Sequence, residues 1–377
     1  MSLFLAEIAA VAGLLGAPSA PGDPSPRVVP ESPATVPSDT LGGAWAASDS
    51  LTVPLFIFDP VVVTVTRRRE ARLRAPASVT VIDTTRIRET VRSSPVELVR
   101  TVPGVDFASK GLNQHTFAVR GDRSVNSTAL LMLTDYRYAA VPSLGFNIPY
   151  LLSPAADDIE RIEVVRGPGA ALYGPDSDKG VLHILTRSPF DSRGTRVSAA
   201  GGERSAAQIG FRHASVLGDH WGVKISGEYF RGDDWTGIDP AEAAARAKAI
   251  AGGASPDTLR IGNRDHGNER AAGEARVDWR SGGGSNAVLT AGTAQALNLV
   301  DYTATSGAIQ VRDWKSSYLQ LRAARGKLFG NAFLNANVRA QENWGRKVHE
   351  SGNGRSAVFV RSFGGGLKVV THVTWAR

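Results

Sequence analysis

The second half of the chain alternates between polar and apolar residues. In Glu274–Arg280, Ala275, Val277 and Trp279 fall on one face of an extended strand, and Glu274, Arg276, Asp278 and Arg280 fall on the other. Trp221, Val223, Ile225 and Tyr229 oppose Lys224, Ser226 and Glu228 in the same way. Leu319, Leu321 and Ala323 oppose Gln320 and Arg322, and Leu334, Ala336, Val338 and Ala340 oppose Asn335, Asn337 and Arg339. Gly218-Asp219, Gly282-Gly283-Gly284 and Gly330-Asn331 carry turn chemistry between these runs. Two longer polar segments, 232–269 and 297–315, are expected as loops, the first with a short surface helix over Pro240–Ala251. About seven strands are expected between residues 195 and 377.

Alternation of this kind has two homes. A soluble sheet turns its apolar face inward; a transmembrane barrel turns it toward lipid and keeps a wet, polar lumen. Runs of about ten residues suit a tilted strand crossing roughly 30 Å of hydrocarbon. The polar face is charged, and short turns alternate with long segments. These features together favour the barrel.

The first half reads differently. Residues 75–190 carry a mixed α/β pattern with strands at Ser78–Ile82, Thr116–Arg120, Leu130–Leu133, Ile159–Val165 and Gly180–Thr186. A helix is expected from Ser94 as N-cap, with Pro95 in the first turn and Glu97 three residues on. Val96, Leu98 and Val99 form its apolar face, and it should stop before Pro103, with Gly104 in the turn. Residues 21–58 are rich in Pro and Ser and are expected as a disordered linker. Residues 1–20 are mostly apolar, interrupted by Glu7, and read either as a degraded or mis-started export signal or as a disordered apolar terminus. No run of 18 apolar residues occurs, so no transmembrane helix is expected.

Composition removes several chemistries. With no Cys, disulfides and Cys-based zinc sites are excluded. The net charge of +7 comes from scattered arginines, which favours solvated faces over a nucleic-acid stripe. The seven His lack metal-ligand spacing. Gly167-x-Gly169 fails as a dinucleotide loop because Leu172 takes the third glycine's place. Asp176, Asp178 and Lys179 fit a solvated turn better than a metal or acid–base pair. No catalytic residue, metal or cofactor is expected.

Three stretches carry a family resemblance. Asp59-Pro60-Val61-Val62-Val63-Thr64-Val65, continuing to Arg67, resembles a TonB box, an extended segment that a partner sheet can bind by strand addition. Asp158 to Gly174, with Glu163, Arg166, Gly167, Gly169, Tyr173 and Gly174, continuing through Gly180 to Arg187, resembles the plug signature of TonB-dependent outer-membrane receptors. Phe117-Ala118-Val119-Arg120-Gly121 and Pro103-Gly104-Val105 resemble earlier plug motifs in the expected order. The chain departs from the family at Asp135-Tyr136, where an Asp-Gly turn is usual, and at Asp176–Lys179, before the final plug strand.

The resemblance implies a mixed α/β plug domain followed by antiparallel transmembrane β-barrel strands. Since a plugged transporter has about 22 strands, residues 195–377 are expected to form an incomplete barrel, and the chain a truncated receptor. It also implies import of a scarce nutrient, such as a ferric siderophore or cobalamin, across an outer membrane, with TonB, a metal chelate or similar small molecule, and lipid as partners. Lys110, Gln114, His115 and Tyr136 are the candidate ligand contacts, and Arg120, Glu160, Glu163 and Arg166 the candidate ion pairs at a plug–barrel boundary. The competing reading is a non-transporting periplasmic binding or signalling module made of plug and linker.

Overall fold

A computed structural model describes residues 61–62, 70–71, 77–89, 94–119, 130–139, 141, 147–167, 177–237, 240–259, 261–303, 307–326, 328–343, 346–348, 354–362 and 368–375. Strand β1 (Val61–Val62) pairs antiparallel with β2 (Glu70–Ala71). There follow β3 (Ser78–Ile82), helix α1 (Thr84–Glu89), a 3₁₀ helix (Pro95–Thr101), β4 (Val105–Ser109), β5 (His115–Val119), β6 (Leu130–Thr134), β7 (Arg137–Tyr138), β8 (Ile159–Arg166) and β9 (Gly180–Thr186). Sheet order is β3-β8-β9-β6-β7, with β6 and β9 parallel, and β4–β5 form a separate hairpin.

This first sheet is buried on both faces. Ile82, Met132, Ile162, Val164, Leu182 and Ile184 pack on one side against Ile87 of α1 and Val96, Leu98 and Val99 of the 3₁₀ helix. Val79, Leu131, Leu133, Val165 and Val181 form the other layer. Two-sided burial explains why β6 and β9 read as apolar runs with no period-two alternation. Gly180 sits where β9 meets β8: a Cβ there would lie 2.4 Å from the Val165 carbonyl oxygen.

The structure corrects the local reading at two points. The expected helix at 94–102 is 3₁₀, and Ser94 makes no side-chain cap bond; only its carbonyl engages, accepting from the Glu97 N–H at 3.1 Å. With apolar Pro95, Val96, Leu98 and Val99 all buried, packing rather than capping sets this segment. Helix α1 was not anticipated. Asp83 Oδ1 accepts the Arg86 N–H at 2.9 Å and caps it.

The second half is one antiparallel sheet of β10 (Gly194–Gly201), β11 (Ala207–Leu217), β12 (Trp221–Asp233), β13 (Gly267–Arg280), β14 (Ser285–Thr303), β15 (Gly307–Arg325), β16 (Leu328–Asn343), β17 (Arg346–Val348), β18 (Gly354–Ser362) and β19 (Lys368–Trp375). Helix α2 (Pro240–Ala251) lies in the β12–β13 connection, as expected. The described sheet has ten strands rather than about seven, and it is open, with β10 and β19 at its edges. First and second sheets belong to one compact unit, Asp59–Arg377.

Two loop readings fail. Residues 297–303 and 307–315 are not a loop: they belong to β14 and β15, which run 19 residues each. Leu299, Ile309, Val311 and Trp314 pack there against Val141, Ile148, Tyr150 and Leu151, so an apolar surface holds them in the sheet. Gly330-Asn331 is not a turn, but lies inside β16. The chain reverses at Gly326, whose φ of +59° suits a residue without Cβ.

The polarity of this sheet is inverted. Val197, Ile209, Phe211, Leu217, Trp221, Ile225, Leu319, Leu321 and Leu334 are exposed, while Arg212, Lys224, Glu228, Arg270, Glu274, Arg276 and Asp278 are buried. A water-soluble sheet shows the reverse. Gly180→Ala is expected to lower the stability of the first sheet by about 1–3 kcal/mol, read as a lower urea midpoint for protease access; an unchanged midpoint would contradict this packing.

Candidate functional site

The first domain is a plug for the inner face of the second sheet, and the seam between them is where the charges meet. The 3₁₀ turn Ala156–Asp158, just before β8, supplies two acids. Asp158 pairs with Lys224 of β12 at 2.7 Å, both side chains wholly buried. Lys224 also donates to the Arg187 carbonyl at 2.6 Å, and Ser226 to Asp158 at 3.4 Å. Asp157 takes Arg196 of β10 at 2.6 Å. Arg270 of β13 pairs with Glu228 at 2.8 Å and donates to the carbonyls of Tyr150, at 2.9 Å, and Leu152. Glu228 accepts the Ala156 N–H at 3.0 Å. Residues 147–158 lack sheet partners, so short-range turns satisfy part of their backbone and inward side chains of the second sheet take the Tyr150 and Leu152 carbonyls and the Ala156 N–H.

A second cluster surrounds the Asp135-Tyr136 turn. Both residues have positive φ, 46° and 69°, a geometry that favours Asn-Gly or Asp-Gly. His183 helps to hold Tyr136 there: the Tyr136 N–H donates to His183 Nε2 at 3.1 Å, and its ring meets the His183 ring edge-on at 4.6 Å. The Asp135 carboxylate accepts from the Thr186 N–H at 3.1 Å and hydroxyl at 2.5 Å, and lies 3.6 Å from Arg276. Gln320, Asn331 and Asn335 donate to the carbonyls of Asp135, Tyr136 and Tyr138 at 2.9, 2.9 and 3.0 Å. Arg137 donates to Asn335 at 3.0 Å and stacks over Tyr318. The inward face of the sheet thus meets the plug directly, the arrangement that the resemblance implies.

The candidate ligand contacts separate into two groups. Lys110 pairs with Asp301 at 2.6 Å and donates to the Tyr302 carbonyl at 2.8 Å. Gln114 donates to Asp234 at 3.0 Å and to the Val300 carbonyl at 2.9 Å. His115 is buried beside Ser109 and Phe107. Lys110 and Gln114 sit at the end of the sheet where β12 enters its long connection to β13 and where β14 ends, and His115 follows directly in the chain. Tyr136 bonds to Asn331, near the Gly326 turn, and so lies toward the opposite end of the strands.

The candidate boundary ion pairs are corrected. Glu163 pairs with Arg161 at 2.7 Å, and Glu160 with the same guanidinium. Arg166 reaches the Pro103 carbonyl and Ser78 hydroxyl, each at 2.6 Å. All these contacts lie within the plug, because β8 is an inner strand flanked by β3 and β9. Gly167 has φ +129°. Arg120, Gly121, Gly169, Tyr173 and Gly174 lie outside the described residues, as do Asp59, Pro60, Val63, Thr64 and Val65. Val61 and Val62 are described as backbone in β1, where β2 takes up their pairing. Sequence reasoning missed Asp135, Asp157, Asp158, Lys224, Arg270 and Arg276 as functional residues. For Lys224, Arg270 and Arg276 the one signal was charge at the inward positions of alternating strands; the three acids lie in turns of the plug and carried no such pattern.

Burial lowers the His115 pKa from 6.5 to about 4, helped by Arg100 and Lys110. Burial likewise lowers His183 to about 4, against the pull of Glu163 and Asp135. Both are therefore neutral at pH 7. For Asp135, burial pushes upward, but Arg322, Arg276 and the Thr186 hydroxyl outweigh it and hold the carboxyl at about 2.

Two predictions follow from the seam. Asp158→Asn is expected to destabilise plug docking by about 3–5 kcal/mol by leaving Lys224 buried and uncompensated, whereas Asp158→Asn with Lys224→Met recovers most of that loss. Thermal onset of plug proteolysis measures both; equal losses in single and double variants would contradict it. A histidine whose folded pKa is depressed contributes stability above its unfolded value that is lost as pH falls. Plug stability should therefore drop between pH 6.5 and about 4, and His115→Gln should make that drop shallower. A pH profile identical to wild type would contradict the assignment to His115.

Residues 71–181 match the family model described as TonB-dependent Receptor Plug Domain. The vitamin B12 transporter BtuB of Vibrio vulnificus (strain CMCP6) is 32% identical over 185 residues, which are 48% of this chain and 29% of that protein. The solved copper transporter OprC superposes with a TM-score of 0.51 at 16% identity, covering 75% of this chain and 41% of that one, a likeness of fold. The chain spans less than half the length of either. Residues 71–181 are thus a TonB-dependent receptor plug domain, seated on the charged face of an antiparallel sheet that exposes its apolar face, and the chain is similar in this to TonB-dependent receptors.

Proposed function

We propose that the chain serves TonB-dependent import of a scarce nutrient, a ferric siderophore, cobalamin or similar small molecule, across an outer membrane. The observation that carries the reading is the inverted sheet: apolar residues outward, charges inward, and a plug completing every major inward charge cluster. That arrangement suits a lipid exterior and a blocked interior. It also disfavours a plug-and-linker module working in water, since the exposed Leu319, Leu321, Ile209 and Trp221 would have no apolar neighbour. The BtuB likeness makes a corrinoid the first solute to try.

In this scheme residues 1–20 are a degraded signal segment, 21–58 a linker, 59–67 a TonB-box-like segment, 75–190 the plug and 195–377 strands of a partial barrel. The long-connection end, with Lys110 and Gln114, faces outward to solute, and the short-turn end faces the periplasm. TonB pairs with Asp59–Val65 by strand addition, and main-chain hydrogen bonds supply the grip. Force then acts on a plug held by side-chain contacts, while the sheet around it is held by continuous backbone pairing. No covalent bond is made or broken, so no residue acts as a catalyst.

Two outcomes test this. Leu319→Arg should weaken insertion into bilayers by about 2–4 kcal/mol, as for a cation near mid-membrane. Val63→Pro should weaken binding of the TonB C-terminal domain about tenfold or more, since proline removes an N–H from the ladder. Calorimetric titration of the detergent-solubilised chain reads the second. Lack of TonB binding to the unaltered chain, or binding indifferent to Val63→Pro, would contradict the coupling role.

A further inference from the structure

The β12–β13 connection is a folded body. Arg246 of α2 donates to the carbonyls of Leu259 at 3.0 Å, Ile261 at 2.5 Å and Pro256 at 2.8 Å, so one guanidinium clamps the returning chain to the helix. Glu242, buried in the first turn of α2, pairs with Arg264 at 2.6 Å and accepts the Gly262 N–H at 2.9 Å. Arg264 also donates to the Ala308 carbonyl of β15 at 3.1 Å. Segments tied at several points open together rather than residue by residue.

This body is rooted at Asp234, which is 5% exposed. One carboxylate oxygen accepts the Leu112 N–H of the plug at 2.8 Å. The other accepts Gln114 Nε2 at 3.0 Å and Asn268 Nδ2 of β13 at 2.7 Å. The Asp234 N–H donates to the His266 carbonyl at 2.8 Å, at the far end of the connection, and its own carbonyl accepts from Arg204 at 2.6 Å. The fit is close: a Cβ on Gly111 would lie 2.8 and 2.9 Å from the two carboxylate oxygens. The β4–β5 turn, which is the plug apex here, and β13 thus converge on the Asp234 side chain, while the β10–β11 turn and the far end of the stapled connection hold its backbone. An ionised carboxylate is an acceptor only, so it satisfies all three donors together; an amide would turn an NH₂ toward one of them.

We propose that Asp234 is a positioning residue that couples the β12–β13 connection to the plug apex, so that a solute docking on the connection alters the hydrogen bonds of Leu112 and Gln114. The coupling deepens the receptor reading and rests on it for its biological sense. It gives the plug a mechanical report of events on the connection without requiring the solute to touch Lys110 or Gln114, whose polar groups are already engaged.

Hydrogen–deuterium exchange on the detergent-solubilised full chain tests it, with Arg246→Ala, Asp234→Asn, their double variant and Asp233→Asn, whose side chain is exposed. Arg246→Ala should speed exchange in the 240–259 peptide and also, by about threefold or more, in the 105–119 peptide, the loss expected when an ordinary hydrogen bond weakens. In the Asp234→Asn background the same substitution should leave the 105–119 peptide no faster than Asp234→Asn alone. Asp233→Asn should match wild type. The proposal is overturned if Arg246→Ala loosens the connection while the apex stays protected, or if its effect on the apex is undiminished without the Asp234 carboxylate. Should Asp234→Asn not fold, Gln114→Ala cuts the same link from the plug side and takes its place in the cycle. The measurement uses neither solute nor TonB, so failure of the import reading would show in binding and leave this result standing.

Discussion

A charge buried on the inner face of the sheet needs a partner, and the plug is built to supply it. Asp158 and Lys224 meet at 2.7 Å with no solvent access to either. Desolvating both ions costs several kcal/mol, so such a pair is weak as a net source of stability but strongly selective against misdocking. A plug shifted by one strand would orphan Lys224 and strip Arg270 of the Tyr150 and Leu152 carbonyls, although Arg270 and Arg276 would keep Glu228 and Asp278 on the sheet itself. The same face also takes backbone groups of Tyr150, Leu152 and Ala156, in a segment with no ladder of its own. Charge matching and backbone satisfaction therefore fix one register for the plug.

The seam is not polar throughout. Leu299, Ile309, Val311 and Trp314 close over Val141, Ile148, Tyr150 and Leu151 toward the long-connection end. Hydrophobic contact there is non-directional and tolerates sliding. The hydrogen-bonded clusters around Asp135 and Asp158 tolerate little. The plug is thus held by contacts of two kinds, and Asp234 ties its apex to a connection that is itself rigidly stapled.

Much of this was legible in the sequence. Strict alternation in Glu274–Arg280 gave both the strand and its two faces, and the plug strands at 78–82 and 180–186 were read at their observed ends. Partners were not legible. That Lys224 faces inward follows from period two; that it meets Asp158 depends on where the plug docks, which no local pattern records. Residues 297–315 looked like a loop because polar residues interrupt the alternation, and bulges near Glu269 and Arg312 shift the register there. Burial against the plug, a long-range contact, keeps 297–303 and 307–315 in strands. Arg166 was expected at the boundary from the resemblance alone, but the sheet order places it against Ser78 and Pro103.

The inverted polarity of the sheet is the claim on which the rest stands, and tryptophan offers a direct measure of it. Trp221 lies on the apolar face at 40% exposure, whereas Trp314 lies in the seam at 4%. Variants retaining one or the other of the seven tryptophans, reconstituted in vesicles of brominated phospholipid, would report contact with acyl chains by quenching. The account requires strong quenching of Trp221 and little of Trp314; quenching of Trp314 with Trp221 open to an aqueous quencher instead would contradict it.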